Sequence, residues 1–329
     1  MMLNIRPLIE KDIPLLEEAI DCRSLHHSPL RRIGDCKVRL HQKDLYRSIA
    51  ASAVCQEGRM LLMAENGEGP SGFMHLLTDY ADNLYSLHQG TVLDLICLDE
   101  AGEAAAALME YAEKMLSEMG RRFIVVLAEH GNACLRKTLS QMGFIDEYLH
   151  FLNALSPSED RETLPVVLKE ASYGDIRALV DMGAEQAQKS LSPLRFLSYR
   201  SMKEEYAKSH AFDWAVSPEH TLCLMVHERG GRLLGYLTVE RDRYDLYTGT
   251  AEAHLTDLIF SEQSDRQKYL APLLRAIDDR LLGEGIGLRV TAIPSGDRET
   301  EALLDLIEGH HALERVQMVK SLHHQRYKT

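Results

Sequence analysis

Apolar positions along the chain fall into short alternating runs and longer helical stripes, and the same order of runs and stripes occurs twice. An extended segment over 3–7 precedes Asp12-Ile13-Pro14-Leu15-Leu16, an acidic residue ahead of an apolar stripe, which predicts a strand and then a capped helix. Ser28-Pro29-Leu30-Arg31 predicts a second helix start, because serine caps free N–H groups and proline suits the first helical position. Strands are predicted over 60–64, 72–77 and 91–98, followed by an amphipathic helix over 104–119 and a strand over 123–128. A further helix and a strand over 147–155 close the series. From 166 it begins again: a strand over 166–170, a helix start at Asp175-Ile176 and another at Ser192-Pro193. Strands over 222–227, 234–240 and 253–260, a helix over 270–283, and strands over 288–293 and 313–322 complete it.

The repetition extends to residue identity. Asp12-Ile13 matches Asp175-Ile176, Gly72-Phe73-Met74 matches Gly235-Tyr236-Leu237, and Asp94-Leu95-Ile96 matches Asp257-Leu258-Ile259, all at an offset of 163. Ser28 matches Ser192 at 164, Leu108 and Gly120 match Leu273 and Gly285 at 165, and Leu155 matches Leu322 at 167. An ordered, slowly growing offset is what duplication followed by small loop insertions produces. The expected organisation is a domain over 1–155, a linker over 156–164 and a second domain over 165–329. The fold class is α/β (α+β), with each domain a mixed β-sheet flanked by helices. Two domains also suit a chain of 329 residues.

Composition narrows the function classes. The chain is 45% hydrophobic and 26% charged, as soluble globular proteins are, and no apolar run reaches membrane-spanning length or forms a signal peptide. A cytoplasmic protein with no membrane partner is expected. Net charge is −13, with 15 basic and 24 acidic residues up to Asp160 and 22 and 26 after it. Neither half offers the clustered Lys and Arg that displace counterions from phosphates, so a nucleic-acid partner is not expected. The six cysteines have no paired spacing, and the adjacent histidines (His26-His27, His310-His311, His323-His324) make poor chelates; no metal is expected.

The order of elements resembles the GCN5-related N-acetyltransferase (GNAT) superfamily. Asn132 and Gly143-Phe144 stand at the spacing of that family's N-x-x-A-x-x-x-Y-x-x-x-G-F segment, and Met318-Val319-Lys320-Ser321-Leu322 is similar to its last strand. The resemblance implies acetyl-CoA as acyl donor, held by backbone N–H groups in an R/Q-x-x-G-x-G/A turn between the fourth strand and the long helix. In the first copy that stretch is Leu98-Asp99-Glu100-Ala101-Gly102-Glu103, acidic and short: Asp94 to Leu108 spans 14 residues where Asp257 to Leu273 spans 16. The first copy is therefore expected to be inactive. The second reads Ser264-Asp265-Arg266-Gln267-Lys268-Tyr269-Leu270-Ala271-Pro272, without glycine. Arg266 and Lys268, at an exposed helix entry, with Tyr269, Leu270 and the small Ala271, are its candidate cofactor-binding residues, and a pyrophosphate is expected against 265–272.

The family's tyrosine general acid has no counterpart, since the position seven residues after Asn132 is Leu139, and its counterpart in the second copy is near Leu304 or Asp305. A base is still needed for an ammonium acceptor. Asp94 and Asp257 occur in both copies, which points to a role in the fold, although Asp257 remains a catalytic candidate. Glu252 and His254 alternate with apolar neighbours, share one strand face, and have no titratable counterpart in the first copy, where Gln89 and Thr91 align. Glu252, His254 and Asp257 are the catalytic candidates. The leading expectation is an acyl-CoA-dependent N-acyltransferase, an N-acetyltransferase in the first instance, acting in the second domain on an amine of a small molecule or peptide. The alternative is a non-catalytic tandem binding or scaffold protein; a homodimer is compatible with either.

Overall fold

The computed structural model describes residues 3–23, 58–81, 88–98, 102–157, 166–190, 221–244, 251–306 and 312–322, with single positions 44, 47, 203, 204, 207 and 208. The helix starts at Ser28 and Ser192, the paired histidines, Asp99-Glu100-Ala101 and most of the expected linker lie outside the described residues. The strands are β1 (Asn4–Pro7), β2 (Arg59–Asn66), β3 (Gly69–Ala81), β4 (His88–Cys97), β5 (Phe123–Glu129), β6 (Ile145–Ala154), β7 (Val166–Glu170), β8 (Thr221–Glu228), β9 (Leu233–Tyr244), β10 (Ala251–Phe260), β11 (Leu288–Pro294) and β12 (Ala312–Ser321). The helices are α1 (Ile13–Arg23), α2 (Glu103–Glu118), α3 (Ala133–Gln141), α4 (Ile176–Ser190), α5 (Gln263–Gly283) and α6 (Arg298–Leu306).

All twelve strands form one sheet in the order β1-β2-β3-β4-β5-β12-β6-β11-β10-β9-β8-β7. Exchanging each strand for its counterpart in the other half reverses this order into itself, so a pseudo-twofold axis passes between β12 and β6. The closing strands cross over. β12 pairs with β5 through Val319↔Val125, and β6 pairs with β11 through Leu152↔Val290, while β6 and β12 pair with each other along the axis. Each half thus lends its last strand to the sheet of the other, where the sequence pattern led us to expect each strand to close its own copy. Lys320 of β12 accordingly reaches Glu113 of α2 at 2.7 Å.

The duplication is visible in register. His75 stands opposite Asp94 and Thr238 opposite Asp257, the same place at the 163 offset. Asp12 and Asp175 act alike too, although not as the helix caps expected. Each closes a short 3-10 turn, its carboxylate accepting the backbone N–H three residues earlier, from Ile9 at 3.0 Å and Ser172 at 2.8 Å, and α1 and α4 follow.

One face of the sheet is covered by α2 and α5. Ala104, Ala105, Leu108, Met109, Ala112 and Leu116 recur at helical spacing and are buried, as are Leu270, Leu273, Leu274, Ile277 and Leu281 of α5. These join Leu149 and Phe151 of β6 and Val316 and Met318 of β12 in one core that runs through both halves. On the other face smaller clusters form among the described residues, the two beneath helices being around Leu16 of α1 and around Leu179 of α4 with Tyr236 and Ile259.

Candidate functional site

The parallel pairing of β10 with β11 is short. It covers Glu252 to Leu255 against Leu288 to Thr291, and beyond it β10 continues to Phe260 while β11 continues to Pro294, held by β6. The strands part at this point, and the same happens in the other half after Val92 and Val126. Backbone groups facing the opening have no ladder partner there, which is where a ligand can add its own hydrogen bonds.

The three catalytic candidates gather on the face of β10 turned away from α5. Ala253 and Leu255 enter the core beneath α5, so Glu252 and His254 face the other way. A bulge between Leu255 and Asp257 takes up one residue and returns Asp257, opposite Thr238, to that same face. Glu252 is buried, and its Oε1 lies 2.6 Å from Nε2 of the half-buried His254. Burial raises the carboxyl of Asp257 from its ordinary 3.8 to about 6; the Thr238 side chain opposes the shift by hydrogen bonding, and the charge of Glu240 adds to it. In the N-terminal half the matching face carries buried Gln89 and Thr91, and His75 beside Asp94.

The cofactor-binding candidates are placed differently from one another. Ser264 to Ala271, expected as a turn, are helical, because α5 begins at Gln263. The first i→i−4 bond is donated by Arg266 N to Glu262 O, so the amides without helical partners are those up to Asp265 rather than those of 266–271. Pro272 sits inside the helix. It has no N–H to give, leaving the Lys268 carbonyl without its usual donor. Arg266, expected at an exposed helix entry, is 4% exposed. Its Nη1 donates to Asp297 at 2.7 Å and Thr300 at 2.9 Å, at the start of α6. Asp297 also accepts from Thr300 N at 3.1 Å, so the residue that caps α6 is the one that holds Arg266. Lys268 is exposed, its ammonium 4.7 Å from the centre of the buried Tyr269 ring, while Leu270 is core and Ala271 lies at its margin. Glu262 makes no side-chain cap, and Arg232, in the turn just before β9, reaches both Glu262 and Asp265 at 3.2 Å.

In the first half Gly102 caps α2 in the left-handed region at φ 73, and a Cβ there would lie 2.7 Å from Oγ1 of Thr138 on α3. The start of α2 therefore lies close against α3 at Gly102.

A buried ion pair that the sequence did not single out lies under α5. Arg289 of β11, fully buried, donates through Nε to Asp278 Oδ1 at 2.6 Å and through Nη2 to Oδ2 at 3.1 Å, and it also bonds Thr291. Asn153, from the exchanged β6, donates to the same Asp278 at 3.3 Å. An arginine in the middle of an apolar strand gives no sign of this role until its partner on α5 is known.

No protein-family model matches the chain, and no curated protein matches it. Solved structures do. A GCN5-related N-acetyltransferase from Sphaerobacter thermophilus is 11% identical, with a TM-score of 0.57 over 97% of this chain and 96% of that one. A tandem GNAT protein from the clavulanic acid biosynthesis pathway is 13% identical, with a TM-score of 0.52 over 98% and 99%. The chain therefore has the fold of the GNAT superfamily in tandem duplication, an α/β architecture with one mixed sheet shared by both copies. Among the described residues no helix is long and apolar enough to cross a membrane.

Proposed function

We propose that this chain is a cytoplasmic acyl-CoA-dependent N-acyltransferase, with acetyl as the first acyl group to try, whose 165–329 unit acylates an amine of a small molecule or peptide. The observation that carries this reading is the set of Glu252, His254 and Asp257 on one sheet face, where β10 and β11 part. Acetyl-CoA would supply an acyl group activated as a thioester. Its pyrophosphate would be held by the uncapped amides of α5 up to Asp265, with Lys268 nearby and Arg232 offsetting Glu262 and Asp265, because the positive helix end favours an anion there.

The chain's own groups then handle protons. Glu252 accepts the Nε2–H of His254, which leaves Nδ1 with a lone pair to take a proton from an ammonium acceptor. The imidazolium so formed is stabilised by the carboxylate beside it. Asp257, with its pKa at about 6, is a second proton-holding group at the opening. Glu252→Gln removes the charge that supports His254 and is expected to lower kcat/KM by about 10²–10⁴, the usual worth of a positioned acid–base group, while acetyl-CoA affinity stays unchanged. Calorimetry and an amine-acetylation assay on the two proteins test this; parent-like turnover in Glu252→Gln would refute the assigned roles.

A second reading, a non-catalytic tandem binding or scaffold protein, is favoured by the engagement of Arg266 with Asp297 and by the acidic first turns of α5 and α6, which carry Asp265, Glu299 and Glu301. A parent protein that binds no acyl-CoA would establish it.

A further inference from the structure

Beyond Glu252 and His254, the next polar group on this face of the sheet comes from the other half of the chain. His254 stands opposite Val290, Val290 opposite Leu152, and His150 lies two residues along β6, opposite Ala292. Paired residues share a face and alternate residues return to it, so His254, Val290, Leu152 and His150 all look out of the same side. His150 reaches this position because β6 has crossed over to β11.

The state of its ring can be worked out from its neighbours. Burial, helped by the nearby His254 and Arg315, pulls His150 from its ordinary 6.5 down to about 3, so the imidazole is neutral at physiological pH. One side of the ring bonds the Gln317 side chain, and Nε2 is buried with no hydrogen-bond partner among the described residues. Gln317 donates one amide N–H to Glu147 Oε2 at 2.9 Å, and its bond to His150 favours the protonated ring, as a carbonyl oxygen accepting from the imidazole does. A carbonyl can only accept, so the proton belongs on Nδ1 and Nε2 keeps its lone pair. A buried acceptor left unmatched is costly, and such groups in native proteins commonly have a ligand or water to meet.

Building on the acyltransferase reading above, we propose that His150 is a second binding point for the acceptor, its Nε2 taking a hydrogen bond from an N–H or O–H group of the molecule whose amine is served by Glu252 and His254. The acceptor class is then one with two donors, an amino alcohol or a diamine. The N-terminal half contributes to the C-terminal site in this way without binding a cofactor of its own. The pseudo-symmetric residue at the 167 offset is Gln317, so this contact joins equivalent positions of the two halves across the axis.

The test uses the full-length protein. In turnover, His150→Phe is expected to raise KM for ethanolamine about tenfold, the worth of one hydrogen bond, with kcat and the KM for ethylamine held. An equal change for both amines, or none, overturns the proposal. A second measurement needs no turnover: imidazole ¹⁵N spectra should show His150 as the Nδ1–H form from pH 5 to 8, and ethanolamine but not ethylamine should shift its Nε2 resonance. Titration of His150 within that range, or an Nε2 resonance indifferent to ethanolamine, also overturns it. If the parent acylates no amine, the function proposed above fails, and the Nε2 response alone decides the role of His150.

Discussion

Replacing Arg266 by glutamate separates a binding role for this residue from a structural one. A surface arginine waiting for a phosphate can change sign with little effect on folding. Arg266 is instead 4% exposed and bonded to Asp297 at 2.7 Å and Thr300 at 2.9 Å, and those two residues also form the first turn of α6. Arg266→Glu removes the cation and places a second carboxylate beside Asp297. Breaking a buried ion pair from one side costs about 3–5 kcal/mol. Asp297 keeps 19% side-chain exposure, so water softens the loss and the lower end applies, about 3 kcal/mol. For a unit of this size each kcal/mol moves Tm by about 2–4 °C, so Tm should fall by roughly 6–12 °C. Lys268→Glu, at an exposed position, should leave Tm where it was. Thermal and urea unfolding of both variants supply the assay, and the double change Arg266→Met, Asp297→Asn, which removes both charges while keeping an oxygen to cap α6, should recover much of the loss. An Arg266→Glu protein that melts with the parent would show that the link between α5 and α6 does not form.

Three further outcomes are expected. Burial holds His75 at about 4 and His150 at about 3, against 6.5 ordinarily, so below pH 6.5 the unfolded chain takes up protons that the folded one refuses. Stability should drop as pH falls from 6.5 to 4, by up to about 1.4 kcal/mol per unit for each histidine. Asp257, raised to about 6, works in the opposite sense between pH 4 and 6, so Asp257→Asn should steepen the drop in urea midpoints; an unchanged slope would contradict the assignment. A Cβ on Gly235 would lie 2.1 Å from the Ile259 carbonyl, whereas on Gly72 the nearest atoms are at 3.0 Å. Gly235→Ala should therefore cost about 2–3 kcal/mol and distinctly more than Gly72→Ala, and equal costs by denaturation would refute the close approach. Finally, Val125→Cys with Val319→Cys should form a disulfide joining the two halves, because these residues are register partners, while Val125→Cys with Leu152→Cys should not. Peptide mapping that finds the second link would mean each closing strand stays in its own copy.

Much of the architecture could be read from local pattern. The alternation over 60–64 and 123–128 and the helical stripe over 104–119 became β2, β5 and α2 with ends shifted by two residues or fewer. The adjacency of Glu252 and His254 was legible as well, because residues two apart on a strand share a face wherever the strand goes. The start of α5 was read too late: Pro272 and the expectation of a turn masked a helix that begins at Gln263. The helix runs on through Pro272 despite the intrahelical bond lost there.

What the sequence determined by itself is the repeated order of strands and helices and the residues that share a face within each, since periods of 2 and 3.6 are properties of the local backbone. Tertiary structure alone decided which closing strand joins which sheet. Leu149 and Phe151 of β6 present the same apolar alternation as Val316 and Met318 of β12, so either pattern could fill either place, and only packing across the pseudo-twofold axis selects between them. It also decided that Arg266 turns inward, because its partner Asp297 lies 31 residues away on another helix. The crossing of β6 brings His150 to His254 for the same reason: residues 104 apart become neighbours through strand pairing, which no local period encodes.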